Sequence, residues 1–596
     1  MARQASGYVL FPLIVIGFAT AGCPSNLESN LGGTTAAATG CATRMADGTL
    51  SVPPHHLVFL AADDESLASV VWDKGLATEH TIPGALFGGY IFSVPPDAPP
   101  GAHPVALSYS VGTSTPVTVN VSSPPAPFGA PRIDHVSLLE ATFDGSGGIT
   151  AGLYLSGANF DVGAVVLVVT TDARGIQKKE ELATVAHKGM LTDLYGVSPA
   201  QLGYPICHFL SLYAVPNVRS AGSLLTLMVR NLDGTESPPF PFPLPANAAT
   251  LDSDGDSLLD SWETNGYDAN GDGMIDVDLP ALGAKIDRRD VFVELDVMAG
   301  LTTPIKQTSG SELGTLDLAR KVFADAPILN PLSENGINLV IDDGSLTASQ
   351  YKVIFDTPEN SSLVASAAAG TVKFSTLKAA NFDNAARGQV FHYAIWAQAQ
   401  TPRKISGISD MNTEVNPVVG DDFLITLDML DASYQTVRSQ VEAFVHELGH
   451  DLGQRHNGMH DTEDTPNYMS VMTYTWILRT GWTDDTNRIN YPTCLPFYYA
   501  QAGATEPNGS VPDPHNTIVN FSSGMGKPLV ENTHTLDEST GVCGFHSEWD
   551  GNPLTTASGL NADVNKNGST SETVTDFANW PALRFSGPQS NGSLKP

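Results

Sequence analysis

Val441–Tyr474 reads VEAFVHELGHDLGQRHNGMHDTEDTPNYMSVMTY. At its centre stands His446-Glu447-x-x-His450-x-x-Gly453-x-x-His456. Apolar residues at Val437, Val441, Phe444, Val445, Leu448 and Leu452 recur at helical spacing, so an amphipathic helix is expected up to about Leu452. His446 and His450 are four apart and lie one above the other on one face of such a helix. One metal ion can take both imidazoles. Glu447 sits on the neighbouring flank, where a carboxylate can reach a metal-bound water. Gly453 tolerates the left-handed backbone that ends a helix and turns the chain. That turn can bring His456 round as a third ligand. Three neutral imidazoles and one water make an open tetrahedral site, the zinc arrangement that serves catalysis rather than the closed one that only holds a fold.

A charged helix with histidines on a solvated face is the competing reading. In a chain of this composition the H-E-x-x-H core arises by chance with a probability of roughly 0.01, and the added Gly and His lower that to roughly a few in 100,000. The motif H-E-L-G-H-D-L-G-Q-R-H resembles the metzincin clan of zinc endopeptidases. Ser470-Val471-Met472-Thr473-Tyr474 is similar to the Met-turn of that clan. The resemblance implies Met472 as an apolar floor beneath the zinc and Tyr474 as a group reaching the metal or the oxyanion. Asn457, following the third histidine, leaves the family within the clan open. The resemblance covers roughly residues 288–474. It implies a peptide or protein substrate, Glu447 as general base, and an edge strand that pairs with the substrate, expected at Phe423–Leu427 or its neighbour.

Upstream, strands at Val291–Val297, Ile337–Ile341, Phe391–Ala397 and Phe423–Leu427, with a helix at Thr315–Ala324, suit an α/β unit ahead of the zinc helix. The expected catalytic domain is 288–500.

Before it, residues 251–280 are rich in acids. Asp252, Asp254, Asp256, Asp260 and Glu263 fall at positions 1, 3, 5, 9 and 12 of a loop, with Leu258 placed to offer a position-7 carbonyl. This is the oxygen-ligand spacing of an EF-hand-type Ca²⁺ site. Ser257 replaces the usual Gly at position 6. Sixteen residues on, Asp268, Asn270, Asp272, Gly273 and Asp276 repeat the first part, but position 12 is Leu279, so weaker binding is expected there. The loops also resemble thrombospondin type 3 repeats. Between Asp252 and Asp296 thirteen acids face only Lys285, Arg288 and Arg289, so a solvated acidic linker, the competing reading, would repel itself.

The N-terminal part reads as β. Alternation at Val105, Leu107, Tyr109 and Val111, and at Val117, Val119 and Val121, gives short strands within 51–123. In 130–246, Leu153–Phe160 (LYLSGANF) and Leu224–Gly234 (LLTLMVRNLDG) are similar to immunoglobulin-like IPT/TIG β-sandwiches. Residues 1–22 read as a signal peptide, with an apolar run at Tyr8–Phe18 too short to span as a helix. Thr20-Ala21-Gly22-Cys23 resembles a bacterial lipobox and makes Cys23 the expected lipidation site, with ordinary signal cleavage near Ala21 as the alternative; either way an exported chain is expected, at the cell envelope or secreted. Residues 23–50 read as a flexible tether.

The expected fold class is therefore multidomain, with N-terminal all-β immunoglobulin-like sandwiches followed by an α/β metzincin-like zinc protease domain. In 501–596, Cys543 is a candidate disulfide partner for Cys494, and Asp563-x-Asn565-x-Asn567-Gly568 is a third, weaker calcium pattern. The chain has 596 residues, 42% of them hydrophobic, which is ample for several cores. A net charge of −34 excludes nucleic acid and anionic membrane surfaces as partners, leaving a lipid anchor as the only membrane contact. The expected cofactors are one catalytic Zn²⁺ and one or more structural Ca²⁺. Two rivals stand beside the endopeptidase: a non-catalytic calcium-stabilised surface adhesin, and a zinc hydrolase of another amide such as cell-wall peptide.

Overall fold

The computed structural model describes separate strands between 35 and 121, then residues 130–160, 163–171, 176–189, 209–216, 218–298, 301, 304–309, 313–326, 328–332, 335–345, 353–354, 371–400, 405–409, 421–427, 436–458, 465–468, 470–473, 497–500, 517–519, 521–522, 529–531, 536–537, 558–566, 568–574, 577 and 579–585. It is mostly β-sheet with few helices.

The first β unit begins earlier than its composition suggests. Within the stretch expected to be a tether, Thr35–Ala37 pairs with Leu57–Ala61, and Thr43–Arg44 pairs with Leu50–Val52. Threonine fits a pleated sheet, and the neighbouring strands supply the partners that this stretch cannot find within itself.

The second unit is a β-sandwich. One sheet runs Arg132–Phe143, Gly148–Ala158, Phe209–Val215, Ala183–Gly189, with Arg219–Ser220 added alongside. The other runs Gln177–Glu181, Val165–Thr171, Leu224–Arg230, Phe240–Pro243. Inward-facing Val136, Leu153, Leu155, Val166, Val168, Leu212, Leu227 and Val229 form its core. The two turn signatures read from the sequence meet. Asn231 donates from Nδ2 to the carbonyl of Asn159 (2.8 Å), Asn159 is left-handed (φ 61), and Phe160 is buried beside it.

The site-bearing unit is built on a five-stranded sheet in the order Asn338–Ser345, Asp290–Val297, Phe391–Trp396, Asp422–Ile425, Gly407–Ser409. The first three pairings are parallel and the last is antiparallel. Central strands covered on both faces are buried along their length, as here, although Glu294 and Asp296 interrupt the apolar run of Asp290–Val297. Alternation sorts the two faces. Val291, Val293, Leu295, Phe423 and Ile425 pack with the helices Thr315–Ala324 and Val437–Asp451. Phe292, Phe391, Tyr393, Ile395 and Leu424 pack with the helix Phe374–Asn381.

Two segments expected to be separate belong to these cores. Leu258, Tyr267, Val277 and Leu279 of the acidic segment pack on the second face. Phe521, Leu529, Val564, Val574 and Trp580 from the C-terminal region pack with the helix Val437–Asp451. No described helix is long and apolar enough to cross a membrane.

Candidate active site

The helix Val437–Asp451 starts on Thr436, whose hydroxyl accepts from the Ser439 N–H (3.1 Å). It ends in a Schellman turn. The Gln454 N–H reaches the Gly449 carbonyl and the Gly453 N–H reaches His450, both at 2.8 Å. Gly453 carries φ +82, the left-handed conformation that its place in the motif requires. The turn returns His456 to the helix.

The three histidines converge. His450 Nε2 lies 3.1 Å from His446 Nε2 and 3.1 Å from His456 Nε2. His446 Nδ1 faces the Val471 carbonyl and His450 Nδ1 faces the Gln454 carbonyl, each at 2.8 Å. A carbonyl only accepts, so both Nδ1 atoms carry the proton and both Nε2 atoms present bare lone pairs. Two lone pairs at that distance repel rather than bond. A tetrahedral zinc with bonds of about 2.0–2.1 Å sets its nitrogens about 3.3–3.4 Å apart, so this donor set fits the ion. Burial, followed by the charge of His456, holds His446 down to about 3. His450 is also held well below the ordinary imidazole range, by burial and then by its two neighbours. Neutral imidazoles are what a metal needs.

Glu447 is 4% exposed and lies against the edge strand Gly407–Ser409. A Cβ on Gly407 would sit 2.5 Å from Glu447 Oε1 and 2.7 Å from the Leu424 carbonyl oxygen. Glycine at 407 is what lets the carboxylate approach the edge backbone. Among the described strands, Asp422–Ile425 is interior and Gly407–Ser409 is outermost. Asp451, the residue after His450, fixes the spacing from beneath. It is fully buried, accepts from the Ser409 hydroxyl and faces His392 Nδ1 at 3.5 Å.

Met472 is fully buried with its sulfur against Gly449, where a Cβ would come within 2.5 Å. The same turn supplies the Val471 carbonyl to His446. Asn579 holds this turn from the C-terminal region, with every polar group of its amide engaged. Its Nδ2 donates to Gln454 Oε1 (2.7 Å) and Tyr468 OH (2.6 Å). Its Oδ1 accepts from Ser470 Oγ (2.7 Å) and the Ser522 N–H (2.8 Å). Asn579 and the two glycines, Gly407 and Gly449, have no short-range signature in the sequence. Tyr474, Cys23, Cys494 and Cys543 lie outside the described residues.

The acidic segment forms a second centre. Asp252 Oδ1 accepts from the Gly255 N–H (2.7 Å) and Oδ2 from the Ser257 N–H (2.9 Å). Asp268 repeats this with the Gly271 and Gly273 N–H groups (2.7 and 2.8 Å). Ser257 takes φ 72, so position 6 demands a left-handed residue even where it is not glycine. Asp252, Asp254 and Asp256 gather one oxygen each within 4.8 Å, as do Asp256, Glu263 and Asp290. Leu258 buries its side chain and donates its N–H to Asp256 Oδ1 (2.8 Å).

At position 9 the carboxylate bonds within its own loop. Asp260 accepts from the Ser253 N–H and hydroxyl (2.7 and 2.8 Å), outside both triads, and Asp276 accepts from the Ala269 N–H (2.8 Å). In each loop this carboxylate caps position 2. The loops also differ in burial. Asn270, Asp272 and Asp276 are exposed, and backbone N–H groups hold Asp268 below its ordinary value, so the carboxylates of the second loop face solvent. In the first, burial pushes Asp254 and Asp256 well above the carboxylate range and Glu263 up to about 10.

No protein-family model matches the chain, and no curated protein sequence does. Among solved structures, the Bacteroides ovatus mixed-linkage glucan utilization locus protein SGBP-B, in complex with a mixed-linkage heptasaccharide, is similar at 11% identity over 31% of this chain and 38% of that one, with a TM-score of 0.12. The BSP domain of a biofilm associated protein is similar at 16% identity over 37% of this chain and 30% of that one, with a TM-score of 0.12. The chain thus spans well under half of either, and superpositions that low carry no argument about ligand or activity.

Proposed function

We propose that the chain is a zinc-dependent endopeptidase of the metzincin kind that its motif resembles. The observation that supports this most is three imidazoles converging, two of them with Nδ1 turned to backbone carbonyls, beside a buried carboxylate at the outermost described strand of the sheet. His446, His450 and His456 would hold the zinc, which when bound acidifies a water and polarises a carbonyl oxygen. Glu447 takes the proton of the attacking water and returns it to the departing amine. Gly407–Ser409 offers backbone N–H and C=O groups to an extended peptide, laying the scissile bond beside Glu447. The Val471 and Gln454 carbonyls keep the rings aimed. Tyr474 is assigned to the developing oxyanion. The same reading takes the protein to be exported, with Cys23 as its lipid anchor, and takes the Asp252–Glu263 loop as a structural calcium site.

A calcium-stabilised surface binding protein is the second reading, favoured by the two β units that precede the site. The test is hydrolysis of a mixed peptide library by the full chain in Ca²⁺, with and without a zinc chelator, beside Glu447→Gln. Chelator-sensitive cleavage of internal bonds is expected. The variant should retain zinc and lose at least about 100-fold in turnover. A folded, zinc-loaded protein that cleaves no peptide overturns the endopeptidase and leaves another amide as substrate. A protein that neither binds zinc nor cleaves moves the assignment to a binding protein.

A further inference from the structure

The loop read from the sequence ends its ligands at Glu263. The structure brings in one more carboxylate, Asp290, thirty-four residues downstream of Asp256 and the first residue of the strand Asp290–Val297. All three acids of the triad Asp256, Glu263 and Asp290 are buried. Glu263 is 3% exposed, and among the described residues neither of its carboxylate oxygens has a hydrogen-bond partner; Asp254 Oδ2, on a fully buried side chain, has none either. A buried carboxylate without donors is costly to ionise, and among the described residues no N–H group is turned to Glu263. Around it five carboxylates (Asp252, Asp254, Asp256, Glu263 and Asp290) meet two guanidiniums, Arg288 and Arg289, so negative charge is in excess. A hard cation with oxygen ligands relieves both deficits, and a crowded, irregular carboxylate set suits Ca²⁺ rather than Mg²⁺, which keeps its waters.

We propose that Asp290 completes, with Asp256 and Glu263, a calcium position that fastens the Asp-rich loop to the central sheet. The proposal rests on the calcium reading of the Asp252–Glu263 loop and not on the peptidase reading. Its consequence follows from what Asp290 touches. Its N–H donates to Asp256 Oδ2 (2.7 Å), and its Oδ1 accepts from Asn338 Nδ2 (2.5 Å), the residue opposite it on the next strand. On the other side, the Ser253 carbonyl accepts from the Leu138 N–H of the β-sandwich (2.6 Å). The ion would sit where sandwich, loop and sheet meet.

The test uses the full chain, with Ca²⁺ for affinity and Eu³⁺ luminescence lifetimes to count waters on the bound ion. Asp290→Asn and Glu263→Gln are each expected to weaken Ca²⁺ binding at least about tenfold and to add about one water or more to bound Eu³⁺. Asn338→Ala, which removes only the hydrogen bond between strands, should change neither. Wild-type affinity and water count in Asp290→Asn would overturn the proposal. So would Asn338→Ala reproducing the loss, because Asp290 would then act only through strand packing. A readout needing no variant is amide exchange in the wild type, where Ca²⁺ should slow exchange across residues 290–297. Unchanged exchange there, with Ca²⁺ bound, overturns the link to the sheet.

Discussion

Residue by residue, the site is defined as much by absent side chains as by ligands. In the proposed mechanism Glu447 acts from a position against the edge strand, and Gly407 is what leaves that space. In Gly407→Ala the new methyl meets Glu447 Oε1 on one side and the Leu424 backbone on the other. The backbone cannot yield, so the carboxylate must. A displacement near 1 Å at a reacting group costs about 100-fold, and we expect kcat to fall by that order in Gly407→Ala while zinc content stays at one ion per chain. Kinetics with metal analysis on the same sample checks this. Unchanged kcat would mean that Glu447 does not act from this position. The histidine triplet was readable beforehand because helical geometry converts four residues of sequence into one shared face. Gly407 was not, because forty residues separate it from the group it accommodates.

The elements around the helix were legible to different degrees, for a physical reason. The strand at Asp290–Val297 and the helix at Thr315–Ala324 follow the residues read from the sequence, since an apolar run and a 3.6-residue period are local signals. The C-terminal segment at 579–585 carries no such period. It earns its place through Asn579, Gln454 and Ala582, which bond across more than a hundred residues. Asn579→Ala would remove one buried hydrogen bond from each of Gln454, Tyr468, Ser470 and Ser522. Each lost buried bond costs about 1–3 kcal/mol, so we expect a loss of at least about 3 kcal/mol in chemical denaturation. Because Gln454 and Ser470 belong to the turns that aim His450 and His446, zinc affinity should also fall by roughly 10–100-fold in chelator competition. A stability loss with unchanged zinc affinity would show that the segment supports the fold but not the metal turns.

Across the whole molecule, the sheet is a wall between two chemistries. One face carries the helix Val437–Asp451 and the C-terminal segment. The other carries the acidic loops, which a reading of composition alone would leave as a linker because their Leu258, Tyr267 and Val277 are scattered among carboxylates. Glu294 is buried on this sheet, on the opposite pleat from Val293 and Leu295, and held 2.8 Å from Arg387. Burial pushes its carboxyl up to about 7; Arg387 opposes the shift, and Asp296, Asp342 and Asp383 add to it. In the unfolded chain it titrates near 4.5. The folded state therefore holds this proton more tightly, so the contribution is complete below about pH 4.5 and is lost as pH rises through about 7. Glu294→Gln carries no such proton and leaves Arg387 its second partner, Asp342. Melting temperatures measured in saturating Ca²⁺ should fall more steeply between about pH 5 and 8 for the wild type than for the variant. Other carboxylates titrate alike in both chains, so the difference between the two curves isolates Glu294. Parallel curves would mean that the Arg387 pair keeps this carboxylate ionised throughout, and that the sheet tolerates a buried charge there.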